Sequence, residues 1–111
     1  MILQPFLIER DDAPDLQFVG QVIGAGFSYV PVIDTIRRGT MARLFRTEGD
    51  NWIAEIVEFE EFAGTRHTLR SSAAVASKPE DLVQFFGNGR AAKALYASVG
   101  SILPRPFETV E

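Results

Sequence analysis

His67 is the only histidine in the chain, and it is the first residue to weigh as a catalytic group. A histidine base needs an orienting carboxylate and a nucleophile within hydrogen-bond reach. Glu60 and Glu61 are the acids that a hairpin would bring across from it. Without a hydroxyl fixed beside them, the plainer expectation is a strand histidine at a sheet surface or rim. Glu55, Glu58, Glu60 and Glu61 crowd one segment, and clustered carboxylates are what hard cations bind. Side chains alternate across a strand, so Glu58 and Glu60 would share one face while Glu55 and Glu61 share the other. Neither pair brings the loop oxygens that a metal cage collects, so no metal or cofactor is expected. Arg43, Arg46, Arg66 and Arg70 on flanking segments suit the simpler role of cross-strand charge partners.

The same four glutamates, with Trp52 at the head of their segment, form the candidate partner-binding surface. An acidic patch with an aromatic anchor suits docking on a basic protein surface. Gly20, Gly24 and Gly26 do not complete G-x-G-x-x-G, and no G-K-[ST] follows, so they read as a bulged or bent strand rather than a phosphate loop. No catalytic residue is assigned.

The elements that would position these residues can be read from periodicity. Gln4 to Glu9 is a short first strand, with Pro5 favouring an edge. Arg10 to Asp15 is a loop. Leu16 to Ser28 is a strand with a bulge or bend near Gly20 to Gly26, and Tyr29 to Arg38 has no clear assignment. Thr40 to Thr47, the turn Glu48-Gly-Asp-Asn51 and Trp52 to Phe62 make a hairpin. A turn at Ala63-Gly64 leads into Thr65 to Ser77 and completes an antiparallel meander. Ser77-Lys-Pro-Glu80 reads as a capping box for a short helix whose stripe is Leu82, Val83, Phe85 and Phe86, stopped by Gly87. Asn88 would cap a second helix through Ala91, Ala92, Leu95, Tyr96 and Val99, stopped by Gly100. Ile102 to Phe107 is an extended tail expected to lay its apolar residues back on the domain.

The expected fold is therefore α+β: a curved antiparallel sheet of four to five strands with two C-terminal helices packed on one face, residues 1–111 forming one domain. The helical stripe should bury against Leu44, Ile53, Val57 and Leu69 or their neighbours one position along, since register decides the face.

Composition narrows the function. With 111 residues and no cysteine, disulfides, thiolate metal sites and cysteine nucleophiles are excluded. A net charge of −4 argues against direct nucleic-acid binding through phosphate neutralisation. No apolar run is long enough for a membrane span, and the N-terminus lacks the basic start and cleavage site of a signal peptide, so a cytoplasmic location is expected.

Leu44-Phe-Arg-Thr47-Glu-Gly49 before a tryptophan-led strand, then Phe85-Phe-Gly87, Ala92-Lys-Ala-Leu-Tyr96 and Gly100, resemble a group of small bacterial proteins labelled EXLDI. They are encoded mainly on plasmids and integrative elements. The likeness covers roughly the last two thirds of the chain. It departs from the group at Gly39, where a tryptophan would stand, and lacks the pentapeptide behind the label. The resemblance implies an accessory role on a mobile element and transfers no catalytic residue. The expected function is a non-enzymatic protein-interaction module, an accessory or anti-defence protein that binds another protein or complex. The alternative is a small-ligand binder or small enzyme with a pocket between the bent strand and the helices. A homodimer along an edge strand is a further option.

Overall fold

A computed structural model of the chain describes residues 2–33 and 35–110. Five strands follow one another as an antiparallel meander in the order of the sequence: β1 (Gln4–Ile8), β2 (Leu16–Ile33), β3 (Ile36–Thr47), β4 (Trp52–Phe62) and β5 (Thr65–Ala76). The segment Tyr29 to Arg38, unassigned from sequence, supplies the end of β2 and the start of β3, with Asp34 outside the described residues. Asp50 takes a positive φ in the β3–β4 turn, and Ala63 and Gly64 do so in the β4–β5 turn. That conformation matches the twist of tight hairpins.

Register shifts three times in the sheet, once at Val32 beside the β2–β3 turn and twice at bulges within the ladders. Register slips at Ile23, between the Val22–Phe45 and Gly24–Leu44 pairs, and again at Leu69, between the Glu58–Arg70 and Phe59–Thr68 pairs. An extra residue on one strand raises the local twist, so the sheet curls into a half-barrel. At one end the curl nearly closes. The Asp11 amide donates to the Ser71 carbonyl at 3.0 Å, and the Ser71 hydroxyl donates to the Glu9 carbonyl at 2.6 Å. Side chains enclosed by the curl define the inner face, where Ile8, Phe45 and Ile53 are buried with Phe6, Phe18 and Ala73 against them. Phe6, Phe18 and Phe45 meet at centroid distances of 5.0 to 5.3 Å.

The other face carries the helices. A 3₁₀ turn, Pro79–Leu82, runs into the four-residue helix α1 (Val83–Phe86), and α2 spans Arg90–Val99. Leu82, Phe86, Ala91, Ala92, Leu95, Tyr96 and Val99 bury against Ala42, Leu44 and Ala54, with Ile56, Ala74 and Trp52 at the margin. The helical stripe thus meets Leu44 and the neighbours of Ile53 and Val57, because the even β3–β4 register puts Ala54 and Ile56 on the same side as Leu44, whereas Leu69 and its neighbours stay exposed and do not join it. Gly87 and Gly100 stop the two helices at φ values of 75° and 62°. The Tyr96 hydroxyl donates to the Gly87 carbonyl at 2.6 Å and ties α2 to the end of α1. Burial pushes its pKa up, which keeps it a donor.

Three local expectations need correction. The capping box at Ser77 does not form, because Lys78 occupies the cap position in extended conformation without a side-chain cap bond. The residue before a proline is driven out of the helical region, and Pro79 therefore moves the cap one residue along. Gly89, not Asn88, precedes α2, again without a side-chain cap. In the tail, Leu103 is fully buried but Phe107 is 82% exposed.

Candidate functional site

The four glutamates of β4 divide as alternation requires, and the structure gives each a different environment. Glu55 lies on the inner face, 5% exposed, where Arg43 Nε donates to its Oε1 at 2.6 Å from the directly opposed position on β3. The Arg43 guanidinium also sits 4.9 Å from the Phe45 ring centroid. This is a structural ion pair in the curl of the sheet.

Glu61 also lies on the inner face, nearer the far end of the sheet. It is clasped from both sides, by Arg66 at 2.6 Å and Arg37 at 2.7 Å. The two guanidiniums stack in turn on aromatic rings, Arg66 at 3.9 Å from the Phe59 centroid and Arg37 at 4.3 Å from that of Tyr29. Phe59 is fully buried because it lies across Gly39, where a Cβ would run into its ring. An aromatic side chain covering a strand glycine is a recurrent sheet device. The hydrogen bonds from Arg66, then from Arg37, hold the Glu61 carboxyl below the usual value.

A carboxylate whose folded pKa lies below its unfolded one stabilises the fold above the unfolded value, and that contribution disappears as pH falls through the folded value. An NMR titration should therefore find Glu61 titrating below an ordinary glutamate. Arg66→Met is expected to move it back towards the ordinary value by more than Arg37→Met does. An unshifted Glu61 in the unaltered protein would contradict the clasp.

On the helix face, Glu60 pairs with Arg38 at 3.1 Å, and His67 is the residue directly opposite it on β5. His67 is exposed and makes no side-chain hydrogen bond among the described residues. Glu58 is exposed and has no ion-pair partner among the described residues. It belongs to a cross-strand row of Ser28, Thr40, Glu58 and Arg70. This row crosses the sheet just beyond the N-terminal end of α2.

Two shallow grooves adjoin there and share Ser28, Thr40 and Glu58. One, of about 260 Å³, runs outward over Val30, Arg38 and Leu69. The other, of about 250 Å³, runs back beneath Phe86, Gly89 and Arg90. Leu69, lifted by its bulge, and Phe62 at the strand end are both about half exposed. The helices stop short of this part of the sheet.

Trp52 does not join this surface. It stands eight residues from Glu60 on β4, ~26 Å at the usual strand rise. There it packs against the helix-covered core with the Arg46 guanidinium 5.3 Å from its ring centroid. Of the four arginines expected to be charge partners, Arg43 and Arg66 pair with the glutamates, Arg46 pairs with Asp50, and Arg70, opposite Glu58, makes no ion pair among the described residues. Arg37 and Arg38 were missed because their segment had no assignment. Had β3 been extended back to Ile36, the even β3–β4 register would have placed both opposite Glu61 and Glu60.

Gly24 and Gly26 hold α2 directly on β2. A Cβ on Gly26 would strike the Ala91 carbonyl oxygen and the Leu95 amide nitrogen, and one on Gly24 would strike Val99 and Ser98. The space between bent strand and helices is filled by α2 itself. No family model matches the chain, nor does any curated protein or solved structure. Among the described residues no helix is long and apolar enough to cross a membrane.

Proposed function

We propose that the chain is a protein-interaction module that binds its partner through the helix-face surface of β3, β4 and β5 beyond α2. The observation that carries this reading is Glu58, an exposed acid with no ion-pair partner among the described residues, at the junction of two grooves, one of them lined by exposed Leu69 and Val30, with exposed Phe62 further along β4. An exposed charge without an ion pair beside apolar side chains suits a protein contact, with a charge-bearing rim that selects and steers the partner. Each groove is smaller than the ~300 Å³ at which clefts begin to enclose a drug-sized ligand. That size favours a partner lying across the surface over a ligand held within it. The partner's complementary feature is a lysine or arginine over Glu58 with an apolar side chain on Leu69. The resemblance to plasmid and integrative-element proteins suggests the setting, an accessory or anti-defence protein acting on a larger complex in the cytoplasm.

The test is charge reversal at Glu58 and Glu60 in a tagged chain expressed in its native host. Glu58→Lys alone should reduce the recovered partner at least tenfold, and the Glu58→Lys, Glu60→Lys pair should abolish recovery. The melting temperature of the Glu58→Lys chain should stay within a few degrees, as for most exposed substitutions. Undiminished recovery with both reversals would sink the assignment of this surface.

A further inference from the structure

We infer that the outer edge of β2, from Ala25 to Val30, is a self-pairing edge that joins two copies of this chain into a continuous antiparallel sheet. The inference rests on how differently the free edges of this sheet are treated, and it uses the outward backbone groups of β2, although Ser28 and Val30 also line the helix-face groove described above.

β1 pairs with β2 only from Leu16 to Gly20. From Gly24 onward β2 has β3 on one side and, among the described residues, no strand on the other. Strand alternation decides which backbone groups this leaves unpaired. The Ser28 carbonyl points at β3, where it lies beside Gly39. The N–H and C=O groups of Phe27 and Tyr29, one residue to either side, therefore point outward, and those of Ala25 fall in the same set. Pro31 is the next member of that set and has no N–H to offer, which limits the pairing stretch at that end.

An open edge is a template for another strand, and soluble proteins usually blunt it with charge, proline or a bulge. The other edges here are blunted. β1 is five residues long and contains Pro5. The open part of β5 carries Arg66, His67 and Arg70 and is broken by the bulge at Leu69, while Asp11 occupies both the amide and the carbonyl of Ser71. Between Gly24 and Pro31, β2 has none of these devices. No charged residue occurs from Leu16 to Ile33, and Phe27, Tyr29, Val30 and Val32 are all exposed along the open stretch.

The occupant follows from chemistry and symmetry. A strand with no charge offers nothing by which to select a foreign partner, whereas a second copy brings an identical open edge that meets it without like-charge repulsion. Pairing with the basic, bulged edge of β5 in another copy would break its own ladder at Leu69. Two β2 edges related by a two-fold axis leave no further β2 edge open, so association closes at a dimer instead of growing into a fibre. With the axis through Ser28, Phe27 of each copy lies opposite Tyr29 of the other on the inner face. Aromatic cross-strand pairs of that kind are favoured.

Light scattering after size exclusion, over a dilution series of the intact chain, tests this. The unaltered protein should have twice the chain mass, and Phe27→Lys and Val30→Lys should each halve it at the same concentration. Val75→Lys, at an exposed position on β5, should leave the dimer intact. Amide exchange should show Phe27 and Tyr29 protected in the dimer and unprotected in Phe27→Lys. Because exchange also reports whether the rest of the sheet remains protected, an unfolded variant cannot imitate a monomer. A monomer at every concentration, a dimer that survives both lysines, or growth beyond two copies would each overturn the inference. So would a monomer whose Phe27 and Tyr29 amides are covered by a different protein.

Discussion

Gly26→Ala is expected to destabilise the protein by about 3 kcal/mol, the upper range for forcing a methyl group into a packed site. Alanine is ordinarily the better residue inside a strand by about 0.5–1 kcal/mol, so local propensity predicts the opposite sign. The loss arises because the new Cβ meets the Ala91 carbonyl oxygen and the Leu95 amide nitrogen, and helix backbone cannot rotate aside. α2 must lift from β2, separating Leu95 and Val99 from the apolar layer they share with Leu44 and Ala54. Gly24→Ala provides the internal comparison. Its Cβ meets Val99 Cγ1 and the Ser98 hydroxyl, the ends of side chains that have other rotamers. Urea unfolding should therefore show less than half the loss at Gly24. Equal losses at the two positions would mean that α2 does not lie on β2 as described.

Arg43→Met should have the second large effect, a loss of about 3 kcal/mol, because it leaves the Glu55 carboxylate 5% exposed on the inner face without its partner. The Arg43 side chain itself is 29% exposed, so water can reach part of the site and the loss should fall at the lower end for broken buried pairs. The double variant Arg43→Met, Glu55→Leu removes the stranded charge together with its partner, and it should recover most of the stability. Replacing a buried ion pair by apolar groups of similar size is often neutral or better. Failure of the second substitution to restore stability would show that Arg43 acts mainly by packing on Phe45. An unchanged midpoint for Arg43→Met alone would show that Glu55 is hydrated.

Much of this architecture was legible from residue order. The hairpin turns at Glu48 to Asn51 and at Ala63-Gly64, the switch from strand to helix after Ser77, and the stops at Gly87 and Gly100 rest on local backbone preferences that tertiary packing did not override. The division of the β4 glutamates between two faces followed from strand alternation alone. What stayed hidden depends on contacts between distant segments. The glycines of β2 suggested a bend, but the need for glycine at 24 and 26 arises from α2, some seventy residues later in the chain.

Whether Ile53 or Ala54 shares a face with Leu44 depends on the β3–β4 register, which runs without a shift from the hairpin turn, and no local preference marks Ile23 or Leu69 as the residue at which the neighbouring ladders slip. Glu58 and Glu55 were equivalent members of an acidic run until the pairing register placed Arg43 opposite one and left the other without an ion pair among the described residues. Trp52 likewise looked like an anchor beside the glutamates, although extended strand geometry carries it to the far end of β4.

Thiol footprinting offers the most direct test of the helix-face surface, since the chain has no cysteine of its own. Leu69→Cys and Phe62→Cys replace half-exposed side chains on that surface, while Leu7→Cys on β1 and Val75→Cys on the inner face report elsewhere. All four should react rapidly with a maleimide in the free protein. In the purified complex with the partner recovered from the native host, the first two should react at least tenfold more slowly, with the other two unchanged. Protection at positions 7 or 75, with 62 and 69 still reactive, would place the partner on a different part of the molecule and contradict the proposed function.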